Sequence, residues 1–90
     1  MREDAGDDVP RRHFALPHPE EPGYNFAAAM ALLDAARDGE MHLAEEATGY
    51  RWGEPTLHPH VRELLAQAEA LPEDQQDHRY ITLARRFLRG

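Results

Sequence analysis

An all-α fold is what this sequence predicts: a small three- to four-helix bundle-like domain behind an extended, proline-rich N-terminal arm. Three observations lead there. Apolar residues recur at helical spacing over residues 24–90, and no segment alternates long enough to form a strand. The chain holds 14 alanines, which favour helix and let neighbouring helices approach closely. Over residues 24–89 its glycines and prolines fall between the periodic stretches, at Gly39, Gly49, Gly53, Pro55 and Pro72, with Pro59 in the opening turn of a helix.

Residues 1–23 read as a flexible arm and residues 24–90 as the helical domain. The arm carries Pro10, Pro17, Pro19 and Pro22, a density that prevents helix and disfavours a central strand. Its bulky apolar residues after Met1 are Val9, Phe14 and Leu16. Phe14 and Leu16 are therefore candidates to dock on the domain or on a partner.

The first helix is expected to open at Asn25, whose side chain can cap the free amides of the first turn. Phe26, Met30 and Leu33 then share one face, and Gly39 supplies the stop. A shorter second helix is expected over Glu40 to Thr48, with Met41, Ala44 and Ala47 inward and Gly49 at its end. Residues 49–55 form a loop. The third helix starts between Thr56 and Pro59 and carries the stripe Leu57, Val61, Leu64, Leu65, Ala68 and Leu71 before Pro72 breaks it. The fourth runs from Glu73 to Leu88, with Tyr80, Ile81, Ala84, Phe87 and Leu88 on one face. Acids at its start and arginines at its end suit the helix dipole.

Composition narrows the function classes. Formal net charge is −7, from 10 basic and 17 acidic residues, and every basic residue is arginine. Six histidines make that charge sensitive to mild acid, since protonating all of them would bring it from −7 to −1. With no cysteine, disulfides, thiolate metal sites and cysteine nucleophiles are excluded. No apolar run approaches the roughly 18 residues of a membrane span, and the N-terminus lacks the pattern of a secretory signal, so a cytoplasmic location is expected. The chain has no serine and none of the phosphate-loop, dinucleotide or nucleophile-elbow motifs, so it reads as no enzyme. No cofactor, membrane or small-molecule substrate is expected.

Interaction is the class that remains: a small accessory, regulatory or assembly subunit that binds a protein partner or forms a homodimer. Residues 24–90 hold 13 Leu, Ile, Val or Phe, a thin core for four helices, so association that removes more apolar surface from water is expected. Tyr50, Arg51 and Trp52 place the three residue types enriched at binding hot spots side by side, although aromatics beside a loop also serve as satellite core. Arg79, Arg85, Arg86 and Arg89 give residues 79–90 a charge of +4, able to pair with the acidic body or to anchor an acidic partner.

Two other readings compete. Residues 43–65 resemble the helix-turn-helix of bacterial regulators, with 43–49 as supporting helix and 56–65, bearing Arg62, as recognition helix. The connection exceeds the usual turn of about 3–4 residues, and residues 24–78 hold three arginines against eleven acids, which repels a phosphate backbone. Nucleic acid is therefore an unfavoured partner. A metal-binding reading rests on His58 and His60, with His42 and His78 on neighbouring helices. An i, i+2 pair shares a face only if Pro59 keeps that segment extended, so no metal ligand is assigned.

Overall fold

The computed structural model describes residues 14–89, and among them every regular element is helical. Four α-helices follow one another: α1 (Tyr24–Arg37), α2 (Met41–Thr48), α3 (His58–Glu69) and α4 (His78–Arg89). Short 3-10 turns at Pro55–Leu57 and Glu73–Gln75 lead into α3 and separate α3 from α4. The all-α expectation holds. Residues 1–13 of the expected arm lie outside the described residues.

α1 is the hub, packing against α2, α3 and α4, while α3 and α4 also pack on each other. That role explains its composition. Tyr24, Ala28, Ala29, Ala31, Leu32, Leu33 and Ala35 are all buried, so the apolar surface wraps well beyond one stripe. The alanines are what allow three neighbours to come close. The expected Phe26–Met30–Leu33 face is accordingly corrected: Leu33 is buried, but Met30 is 40% exposed. The core face turns toward Ala28, Leu32 and Ala35 because the three neighbouring helices stand there.

Helix ends also differ from expectation in ways that local hydrogen bonding explains. Asn25 is inside α1 and caps nothing; Gly23 stands at the N-cap, and the first amides reach the Glu21 and Gly23 carbonyls at 3.0 and 3.1 Å. The Asn25 side chain instead accepts a bond from the Tyr50 hydroxyl at 2.7 Å. In α2, Ala44 is buried as expected while Ala47 is exposed and Thr48 takes the inward place. Thr48 is tied in by its own hydroxyl, which donates to the Ala44 carbonyl at 2.7 Å, and by its carbonyl, which accepts from the Tyr24 hydroxyl at 2.8 Å.

α3 ends at Glu69, so Leu71 leaves the stripe and is 45% exposed. α4 begins at His78 rather than Glu73, because Gln76 is extended and its side-chain amide donates to the carbonyls of Glu69 and Leu71, at 3.2 and 2.9 Å. Those bonds satisfy orphan carbonyls at the end of α3 and hold the chain out of helix. Asp77 then caps α4, its carboxylate accepting from the Tyr80 amide at 3.0 Å. Glu73 and Asp74 lie in the preceding turn and not in the helix they were expected to open. None of the described helices is long and apolar enough to cross a membrane.

Candidate partner-binding cleft

The loop after α2 is shaped by two glycines with positive φ, Gly49 at 80° and Gly53 at 86°, a region that other residues adopt only with strain. These turns fold Trp52 back over the domain. Its backbone amide donates to Glu45 Oε2 at 2.8 Å, and its indole meets the fully buried Phe87 ring edge-on, with centroids 4.9 Å apart. His58 approaches the same ring at 5.9 Å while its Nε2 donates to the Gly53 carbonyl at 3.0 Å. Phe87 thus fixes Trp52 from α4, and Glu45 fixes it from α2.

Trp52 also helps line a cleft of about 410 Å³ between the end of α1, the start of α2 and α4. Ala36, Met41 and Leu83 supply the apolar lining beside Trp52; Gly39, His42, Arg79 and Arg86 complete it. The volume falls within the range of about 300–1,000 Å³ that binding clefts occupy. Among the described residues no carboxylate lines it, in a chain whose net charge is −7.

The four arginines of α4 divide by what they touch. Arg79 donates from Nε to the Arg37 carbonyl at 2.9 Å, where it meets the negative end of the α1 dipole. Arg85 pairs with Glu69 of α3. Arg86 and Arg89 are exposed, and among the described residues neither joins an ion pair; Arg86 lies on the cleft. Of the expected partner-binding residues, the structure therefore gathers Trp52, Arg79 and Arg86 in one place.

The others stand apart. Tyr50 is half-buried, its ring 6.4 Å from that of Tyr24 and its hydroxyl on Asn25, while Arg51 is exposed. Phe14 and Leu16 pack against the hydrophobic core and, with Ala27, Met30, Ala31 and Asp34, line a smaller cleft of about 250 Å³. A third cleft, between α1, α3 and α4, includes Leu64, Leu71 and Tyr80, where burial pushes the Tyr80 hydroxyl up to about 12.

Leu83 escaped the sequence reading because it is off the buried stripe of α4. The signal was present, however: Arg79, Leu83 and Arg86 stand at i, i+4 and i+7, a helical face of two cations around one apolar residue. Geometry also bears on the histidines and on residues 43–65. His60 meets the Phe26 ring at 6.0 Å, away from the His58 partners, and among the described residues no group of three His, Asp or Glu is placed to hold a metal ion. α2 packs mainly on α1, and residues 49–57 intervene before α3, so the two helices do not form the compact pair of a helix-turn-helix.

No protein-family model matches the chain, and neither a curated protein nor a solved structure is detectably similar to it.

Proposed function

We propose that the protein is a small, non-catalytic protein–protein interaction module, an accessory, regulatory or assembly subunit acting in the cytoplasm. The observation that carries this reading is the convergence of Trp52, from a loop, with Arg79 and Arg86, from α4, around one open apolar cleft. Tryptophan and arginine are the residue types most enriched at energetic hot spots, where a rigid aromatic wall and a forked cation give much contact at low entropy cost. Trp52 is held from behind by Phe87 and Glu45, so its exposed side is preorganised. The thin core supports the same reading, since a partner laid on Met41, Trp52 and Leu83 would remove further apolar surface from water.

Arg86→Glu tests it directly, because Arg86 is exposed and its loss should leave the fold intact. The full chain and this variant are used as baits in source-cell extracts, and the recovered complexes are weighed intact. The expected result is a defined heteromeric or homodimeric species with the native chain and its loss from the variant at unchanged helical content. A partner recovered equally by both, or a strictly single-chain species under all conditions, overturns the reading.

A further inference from the structure

We infer that the Trp52 cleft accepts an acidic amphipathic segment of a partner protein, with an apolar side chain seated on Trp52 and Leu83 and carboxylates set against Arg79 and Arg86. This rests on the interaction reading above and specifies the chemistry of the partner.

Charge is the first argument. The domain is acidic over most of its length, with eleven acids against three arginines in residues 24–78. The lining of the cleft reverses that sign locally, with two arginines and, among the described residues, no carboxylate. Glu45, the carboxylate that touches Trp52, binds its backbone amide and does not line the cleft. Elsewhere on α4, Arg85 has Glu69 as its partner, and Arg89, without an ion pair among the described residues, does not line the cleft. An uncompensated cation beside a hydrophobic wall is thus a property of this place and not of the whole helix.

Backbone dipoles strengthen the bias. α2 opens at the cleft with Met41 and His42 in the lining, so the positive pole of its backbone lies beside the arginines. The negative pole of α1, which also ends here, is met by Arg79 through the Arg37 carbonyl. A basic segment would meet Arg86 and the positive pole of α2 unfavourably, whereas carboxylates would meet both favourably.

Shape is the second argument. Arg79, Leu83 and Arg86 follow one another along one face of α4, so cation, apolar residue and cation alternate over about two helical turns. The complementary ligand is a helix or extended strip carrying acid, apolar residue and acid in the same order.

Trp52 is the sole tryptophan, so its emission reports occupancy of the cleft without a label. The full chain is titrated with three helix-forming peptides of leucine and alanine, in which one leucine stripe is flanked by glutamate, glutamine or lysine. The expected order of affinity is glutamate first, glutamine about tenfold weaker and lysine weakest, with the spread narrowing as salt rises. Arg86→Glu should cancel or reverse that order while circular dichroism stays unchanged. Equal, saturable perturbation by the glutamine and glutamate peptides overturns the inference and leaves the docking reading standing. Failure of the glutamate peptide to perturb Trp52 overturns the inference, and joined to a captured partner indifferent to Arg86→Glu it overturns both.

Discussion

Asp77 does two things at once. Its carboxylate caps α4 through the Tyr80 amide and takes the Arg37 guanidinium at 3.1 Å, tying the end of α1 to the start of α4. The bond from the Tyr80 amide, with help from Arg37, holds its pKa below the ordinary 3.8. Because the folded-state value is the lower one, this contribution is complete above the unfolded value and disappears as pH falls through the folded one. Asp77→Ala should cost about 0.5–2 kcal/mol at neutral pH. Urea titrations of both proteins should converge below pH 3.8; a gap that persists in acid would show that the carboxylate is not its source. Tyr80 runs the other way. Burial raises its pKa to about 12, so the native state keeps a proton that the unfolded chain gives up near 10, and stability falls as pH rises between those values. Absorbance titration should show a phenol ionising near 12, and a Tyr80→Phe variant should lack that step.

Among the helices, existence was easier to read than orientation or ends. Spacing alone located all four, because an apolar period near 3.6 survives whatever packs on it. The face of α1 was misjudged since Phe26, Met30 and Leu33 fall at helical spacing, whereas burial is decided by three neighbours that approach along alanines. α4 begins late because Gln76 bonds back to α3, a long-range commitment that no local pattern carries. Asp77 is an N-cap type directly before the helix, but an opening at Glu73 placed it inside the helix instead. The stop of α2 was legible: Gly49 takes φ 80°, and a Cβ there would meet nothing within 4 Å. Gly49→Ala should therefore cost about 1–2 kcal/mol, through backbone strain alone. Gly49→Asn should recover part of that loss in thermal melts, since asparagine tolerates the left-handed region; equal melting of all three would remove the argument.

For the molecule as a whole, composition forecast its economy better than its surface. Its largest fully buried side chains are Phe87, Leu32, Leu33, Leu57 and Val61, a short set for four helices. Domains of this size rarely exceed about 3–5 kcal/mol from one core, and dilute chain unfolded in urea should fall in that range. A much larger value would mean that the fold has no need of company. The cleft was only half legible. Trp52, Arg79 and Arg86 stood out by type, but their meeting depends on a loop folded by Gly49 and Gly53 onto Phe87, and Tyr50, equally prominent in sequence, turned inward to Asn25.

Amide hydrogen exchange on the full chain, free and in its captured complex, tests the central claim most directly. New protection should concentrate in residues 36–42, at Trp52 and in 79–86, while Leu64, Gln67, Leu71 and Gln75, on the α3 side of the third cleft, exchange as before. Protection centred on those residues, or on the face that Phe14 and Met30 share, with Trp52 and Leu83 unchanged, would contradict it.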